Sequence, residues 1–592
     1  MQNSLFFLIY LLLCHLYCVT ADKPKIIEFN VTSTVNSEGR RVISINNQLD
    51  TYGPTIRVRS GEELRLKVNN YICSQAEIQR MGNEPDLRSY CETSLHFHGI
   101  INVGNQFDGV PGVTQDPIQA NGGEYWYNFT VPNDLCGTFW YHSHSSVQYG
   151  DGLRGVMIIE CDNYEMNVNK LISNLEQQEN LLGTSGLLQI EDDLISKNKI
   201  GYEELIVTLS DWYNRWNFDI NRNDVIDAHG SADPRLDDSI INGKKEIEQT
   251  VVIPDHREYL VYRFINTGMS GTQVVNFPGY KMVVFETDGV IIKPYAVDTL
   301  SMAVGQRYSV IIRKEPNAAI RMVNGCNKMM GYFAKQVWYV PKMNVNGFEL
   351  GALQIPPINR LPGLDKHELF REFQPLEKDI TTQDISYFER ANVTIELDYD
   401  YYKDDKTKAK YGTGMFLMNG KSMAEYLEEP IQLPEQEGTT VDIIINSIEH
   451  MRHPWHLHGH RFQVLSMGLG GEGKLSSSNS KAQQKYQDDI SYWQNHPEEI
   501  PMTRDSINIP GRSFAVLRIK TKDYGKWLLH CHVEWHVSKG LGVMFENKAN
   551  TQEQTQEQSL SSITNPSKRK VLTIYAIIML CIDIALFYVI MK

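Results

Sequence analysis

Positive charge is in deficit: 57 Lys and Arg stand against 72 Asp and Glu, a formal net charge of -15 with a pI near 5.6. Such a chain offers no electrostatic footprint for a nucleic acid, which is excluded as a partner, whereas cations are tolerated or attracted. Cysteine is scarce as well, with nine in 592 residues, and Cys14, Cys18 and Cys581 fall in terminal apolar segments. Hydrophobic burial therefore has to hold the fold, and 42% hydrophobic composition over this length is enough for several cores, about three or four domains. Long apolar runs are missing except at the two ends.

Those ends read as export and attachment signals. Leu5 to Val19 is apolar and closes near Ala21, which predicts a cleaved signal peptide over 1–21 even though no basic residue precedes it. Sequons at Asn30, Asn128 and Asn392 agree with an exported glycoprotein. At the other end, residues 549–570 include the run Thr551 to Gln558, which is too polar to build a core and reads as a tether. Residues 571–591 are apolar apart from Asp583 and long enough to span a bilayer as a transmembrane helix. Lys568, Arg569 and Lys570 precede that segment, so charge alone favours the opposite orientation, but a signal peptide commits the ectodomain to export first. A type I membrane anchor is the preferred reading; Ser561 and Ser562 followed by a spacer and tail also fit a lipid-anchor signal.

Between the ends, apolar alternation such as Leu64, Leu66 and Val68 around Arg65 and Lys67 predicts half-buried strands, and turns such as Gly109-Val110-Pro111-Gly112 separate them. The pattern is all-β. Residues 163–202 break it with an Asn-, Gln- and Glu-rich insertion, read as a short helix or a loop without a role. Residues 355–363 are a Pro-rich linker, and Gly470 to Ile500 reads as a polar loop. Cys73 and Cys91 bracket a polar stretch and could close it, while Cys136 with Cys161 is a possible second pair that leaves Cys326 over.

The chemistry concentrates in Trp527-Leu528-Leu529-His530-Cys531-His532-Val533-Glu534-Trp535-His536. On a strand, His530 and His532 point one way and Cys531 the other, so one segment can serve two metal sites. A thiolate with the imidazole of His536 suits copper, and the paired imidazoles suit a second copper centre. A buried Cys beside loop histidines is the bland alternative for this segment alone. It loses weight because His96-Phe97-His98, His142-Ser143-His144 and His453-Pro454-Trp455-His456-Leu457-His458 repeat the theme, and ten of the 17 His residues fall in the four clusters.

In this order the clusters resemble the copper-ligand signature of the multicopper oxidases. The surrounding text is most similar to the fungal iron-transport multicopper ferroxidases: Leu95 to Gly99, Phe139 to His144, Asp151 to Gly155 and Pro501 to Asp505. The resemblance spans most of residues 25–548. It implies three cupredoxin-like Greek-key β-sandwiches, at 22–162, 163–360 and 361–548, and four Cu ions. By residue matching, His453, Cys531 and His536 would hold the type-1 copper, with the non-ligating Leu541 in the axial position. His96 and His456 would hold the type-2 copper, and His98, His142, His144, His458, His530 and His532 the type-3 pair. The middle domain supplies no cluster and would space the outer two.

The resemblance also implies acidic residues near the cluster, matched by Asp108 and Glu534, which could relay protons to O2. Iron needs hard oxygen ligands beside the type-1 imidazoles. Asp211 and Glu449 match positions of fungal ferroxidase carboxylates, each with Asp and Glu exchanged; Asp288 and Asp298 are candidates for a third. The expected activity is oxidation of Fe(II) coupled to reduction of O2, feeding a membrane iron permease from the cell-surface or vacuolar/endosomal membrane. A laccase-like oxidase of phenols or aromatic amines is the alternative, and a non-enzymatic copper-binding protein the third reading.

Overall fold

The computed structural model describes residues 24–548 except 49–52, 82–88, 102, 134, 178–185, 188–200, 227–232, 329–330, 350–354, 365–369, 377–389 and 522–523. The signal-peptide, tether and transmembrane expectations at 1–21, 549–570 and 571–591 thus lie outside the described residues. Among those described, no helix is long and apolar enough to cross a membrane.

Three β-sandwiches follow one another. In the first, Arg41–Ile45, Lys25–Val35, Glu63–Tyr71 and Gly123–Thr130 form one sheet in that spatial order, and Gly53–Arg59, Arg154–Glu160, Gly137–His142 and His96–His98 form the other. The alternation seen in the sequence is the cause: Leu64, Leu66 and Val68 are buried between the sheets while Arg65 faces outward. The middle sandwich pairs a seven-stranded with a five-stranded sheet, and the third a six-stranded with a five-stranded sheet. Disulfides join Cys73 to Cys91 and Cys136 to Cys161; of the described cysteines, Cys326 and Cys531 are free and buried.

Two polar stretches turn out to be helices. Asp162–Gln177 opens the 163–202 insertion and buries Tyr164, Val168, Leu171, Ile172 and Leu175 on Tyr259, Val261, Phe285 and Ile311 of the middle domain. Their spacing of three and four residues is a helical stripe, diluted in the sequence by Asn, Glu and Lys on the solvent face. Within the predicted loop Gly470 to Ile500, Ser480–Asn495 is a helix whose cap, Asn479, accepts from the Ala482 amide. Its anchor is polar as well as apolar. Trp493 donates to the Leu465 carbonyl at 2.8 Å, and buried Asp489 takes Ser466 and Lys485. Polar anchoring of this kind leaves a weak apolar period to read.

Two features of the third sandwich position the sites. His453–Leu457 pairs antiparallel with Gly525–Cys531, placing His456 opposite His530 and Trp455 opposite Cys531. The strand ends at Cys531, and the short helix Glu534–Ser538 then turns His536 back over the thiol. In the first sandwich, His96–His98 pairs with Gly137–His142, setting His96 opposite His142.

Candidate metal centres

Cys531 Sγ lies 3.4 Å from His453 Nδ1 and 3.6 Å from His536 Nδ1, and the two nitrogens are 3.0 Å apart. This triangle of one sulfur and two nitrogens is completely buried. Phe416 and Tyr399 pack on the imidazoles, and Leu541 is fully buried with its carbonyl accepting from the Cys531 amide at 3.2 Å. Burial pushes the Cys531 thiol up, so a bound cation is what would convert it to a thiolate. The outer ring nitrogens each meet a carboxylate: His453 Nε2 contacts Glu449 Oε1, and His536 Nε2 is 2.9 Å from Asp233 Oδ2.

Eight further imidazoles converge between the first and third domains. His96, His142, His456 and His530 each direct Nδ1 at a backbone carbonyl, those of Asp108, Ser143, Asp505 and Cys531, at 2.6–2.9 Å. A carbonyl only accepts, so each Nδ1 carries the hydrogen and each Nε2 presents a lone pair. Those lone pairs are aimed inward. His96 Nε2 faces His456 Nε2 at 3.4 Å, His530 Nε2 faces His458 Nε2 at 3.2 Å, and His142 Nε2 has no hydrogen-bond partner.

Protonation cannot relieve this opposition: burial, then repulsion among neighbouring imidazoles, lowers the ring pKa of His96 to about 3, and burial above all takes His144 and His532 to about 4. Converging, neutral, fixed imidazoles are a cation site for a borderline-soft metal. His144, His458 and His530 form one such set, and His96, His98 and His142 another, with His532 Nε2 3.3 Å from His98 Nδ1. The donor chemistry fits copper at both centres.

The expected acids take distinct places. Asp108 is buried, its carbonyl on His96 and its Oδ2 2.9 Å from His458 Nδ1, and burial raises its carboxyl. Glu534 lines a cavity of about 310 Å³ with His142, His144, His530 and His532, and removal from bulk water lifts its carboxyl to about 8. Asp211, in contrast, does not sit against His536. Its buried carboxylate accepts from the Met269, Ser270 and Gly271 amides at 2.7–2.9 Å, so its charge is spent on a turn of the middle domain. Asp233, beside Pro234 in a connecting stretch, occupies the place expected of it, and its sequence carries no signal of that role. Nor do the third-carboxylate candidates pair with His453 or His536: Asp288 is buried on Arg504 and Arg307, and Asp298 pairs with Lys281 at 2.6 Å.

Comparison with known proteins agrees with this geometry. Three family profiles, each described as multicopper oxidase, match residues 29–163, 203–323 and 392–551. The chain therefore belongs to the multicopper oxidases, and it is a copper-dependent oxidoreductase. Among its relatives, GMC1 of Saccharomyces cerevisiae is 44% identical over 98% of this chain and 97% of its own length. The iron transport multicopper oxidase FET3 of Candida albicans is 28% identical, covering 85% of this chain and 73% of that protein. The fold is shared with the crystal structure of Fet3p, a multicopper oxidase that functions in iron import (TM-score 0.66, 22% identity, 89% of this chain and 91% of that one). It is shared equally with the laccase from Botrytis aclada (TM-score 0.63, 20% identity, 92% and 93%).

Proposed function

We propose that this multicopper oxidase draws electrons from Fe(II) and passes them to O2 over four coppers, one at the His453–Cys531–His536 triangle and three among the eight imidazoles. What supports iron as the donor is a single observation: Asp233 and Glu449 each contact the outer nitrogen of a type-1 imidazole. Both are held below the usual carboxylate range, since hydrogen bonds and charge from His536 and His453 outweigh the burial that would raise them. They are ionised oxygen ligands at the rim of the electron entry point. Such ligands bind Fe(II) and favour the more highly charged Fe(III) more strongly still, which lowers the donor's potential.

Bound copper supplies the one-electron steps and the reduction of O2. The chain's own residues do the rest. Cys531 lies covalently between His530 and His532, a short path from the type-1 triangle to the second centre. Burial raises the carboxyls of both Asp108 and Glu534, that of Glu534 to about 8, so they could hold and yield protons beside the imidazoles. Leu541, buried beside Cys531, brings a side chain with no donor atom, so a copper held by His453, Cys531 and His536 would gain no further ligand from it and would be kept at a higher potential.

A laccase-like oxidation of phenols or aromatic amines is the second reading. Lys539 favours it: this lysine is buried 5.3 Å over the Tyr401 ring and offsets the charge of Asp233. Steady-state O2 uptake on Fe(II) beside one bulky phenol separates the two, since preference for the phenol by kcat/KM would reject the iron site. In the iron reading the product Fe(III) would pass to a permease in the membrane to which residues 549–592 would tether the enzyme.

A further inference from the structure

The middle domain holds none of the cluster histidines, yet its turn Ala303 to Arg307 touches the imidazoles. Gly305, at φ 83°, packs so closely that a Cβ there would lie 2.9 Å from His532 Cδ2 and 3.0 Å from His98 Cε1. The turn is held by its own Gln306, whose Oε1 accepts from the Ala303 amide at 2.9 Å and whose Nε2 reaches the Ser506 carbonyl at 3.3 Å. Next comes Arg307, fully buried. It donates from Nη1 and Nη2 to the two oxygens of Asp505 at 2.7 and 2.6 Å, and from Nε to the Thr138 carbonyl at 3.1 Å. One guanidinium thus joins all three sandwiches.

Asp505 is also the residue that addresses His98. Four of the other cluster histidines point Nδ1 at a carbonyl, but His98 has Nε2 turned outward, 3.2 Å from Asp505 Oδ1 and 3.1 Å from Ser506 Oγ, and Ser506 Oγ is itself 2.9 Å from Asp505 Oδ1. Because Ser506 donates to Asp505, an Nε2–H on His98 finds acceptors here, and Nδ1 is left as the lone pair facing His532 Nε2 at 3.3 Å. The same residue's carbonyl fixes His456. Asp505 is in turn placed by Arg307, and Arg307 by Asp288, whose Oδ1 accepts the Arg307 amide at 2.8 Å while Oδ2 takes Arg504 Nε at 2.7 Å. Buried ion pairs are poor fasteners, since apolar contacts hold domains together without a desolvation cost. What an apolar contact cannot do is dictate which nitrogen of His98 carries the hydrogen.

We propose that Arg307 is a positioning residue for the trinuclear centre: by clamping Asp505 it fixes His98 with Nδ1 turned to the metal, so the centre is a three-domain site. The proposal rests on copper occupying the imidazole cluster and not on which donor the enzyme oxidises. The same clamp accounts for Gly99, where a Cβ would meet Arg307 Nη2 at 2.4 Å and Asp505 Oδ2 at 2.5 Å.

The test uses the full-length, copper-loaded protein with Arg307→Gln, Arg307→Lys and Asp505→Asn. The blue thiolate-to-copper band should stay within about twofold of wild type in all three, because none of these residues touches His453, Cys531 or His536. In Arg307→Gln and Asp505→Asn the near-ultraviolet band of the type-3 pair should fall, and a chelator should strip the trinuclear coppers at about 10–100-fold lower concentration. Arg307→Lys, which keeps the charge without the fork, should fall between. Four retained coppers and an undiminished type-3 band in Arg307→Gln would overturn the proposal, as would loss confined to Asp505→Asn. Parallel loss of the blue and type-3 signals in both Gln and Asn variants would also overturn it, since the clamp would then merely hold the fold.

Discussion

Substituting Asp233→Asn together with Glu449→Gln removes two negative charges from the type-1 rim while keeping side-chain size and one acceptor oxygen on each residue. Glu449 has a side chain 7% exposed and Asp233 one 23% exposed, so both interact through a medium drier than water. Unit charges about 4 Å apart interact by about 4 kcal/mol at the effective dielectric of a protein surface, and partial exposure and salt reduce this to about 1–2 kcal/mol per carboxylate. Each 1.36 kcal/mol is about tenfold in rate, so the double variant should lose roughly a hundredfold in kcat/KM for Fe(II). A neutral phenol has no use for those charges. Their loss withdraws negative charge from His453 and His536, raises the type-1 potential, and should leave phenol oxidation equal or faster. The assay is O2 uptake with each donor, with the blue band monitored to establish that the triangle is intact. Asp211→Asn serves as the comparison: its carboxylate anchors three amides, so that variant should lose stability and show no selective loss on iron. Loss on Fe(II) below about threefold, or equal losses on both donors with the blue band retained, would refute the iron site.

The remaining predictions concern the triangle, an interdomain ion pair and the inserted helix. Cys531→Ser should bleach the blue colour and lower the copper content by about one ion while the imidazole cluster keeps its load, as measured by absorption and metal analysis. Glu204 bridges Arg57 of the first domain at 2.6 Å and Arg263 of the second at 2.8 Å; burial alone would raise its carboxyl, but the two guanidiniums outweigh this and lower it. A depressed folded-state pKa contributes stability above the unfolded value, about 4.3, and loses it as pH falls through the folded value. Denaturant titrations should accordingly find Glu204→Gln less stable than wild type at neutral pH, with the gap narrowing as the pH drops below about 4. Ile172→Ala, at a fully buried position on the Asp162–Gln177 helix, should cost about 2–5 kcal/mol by the same titration; a cost near that of a surface site would mean the helix does not pack on the middle domain.

How much of this was legible in the sequence depends on whether a residue acts through its identity or through its placement. The eleven cluster residues are rare types at short spacings, and strand alternation at His530-Cys531-His532 follows from backbone geometry alone, so both candidate metal centres could be proposed from the chain, and the structure brings their side chains together. Sandwich strands were legible for the same reason, because period two survives wherever one face is dry. The helix Ser480–Asn495 was not, and Asp162–Gln177 was legible only as one of two alternatives, a short helix or a loop, since a 3.6-residue stripe diluted by Asn, Gln and Lys, or anchored by a buried Asp489, has little apolar contrast. The carboxylates mark the sharper limit. Asp211 matches a ferroxidase position in the sequence, yet three amides of the Met269 turn take up its oxygens, while Asp233 reaches His536 from a connection whose path no local pattern fixes. An acidic residue is common, and only its distance from an imidazole makes it a ligand. The same holds for Arg307 and Asp505, 198 residues apart, whose joint hold on His98 is a property of three domains at once and of no segment taken singly.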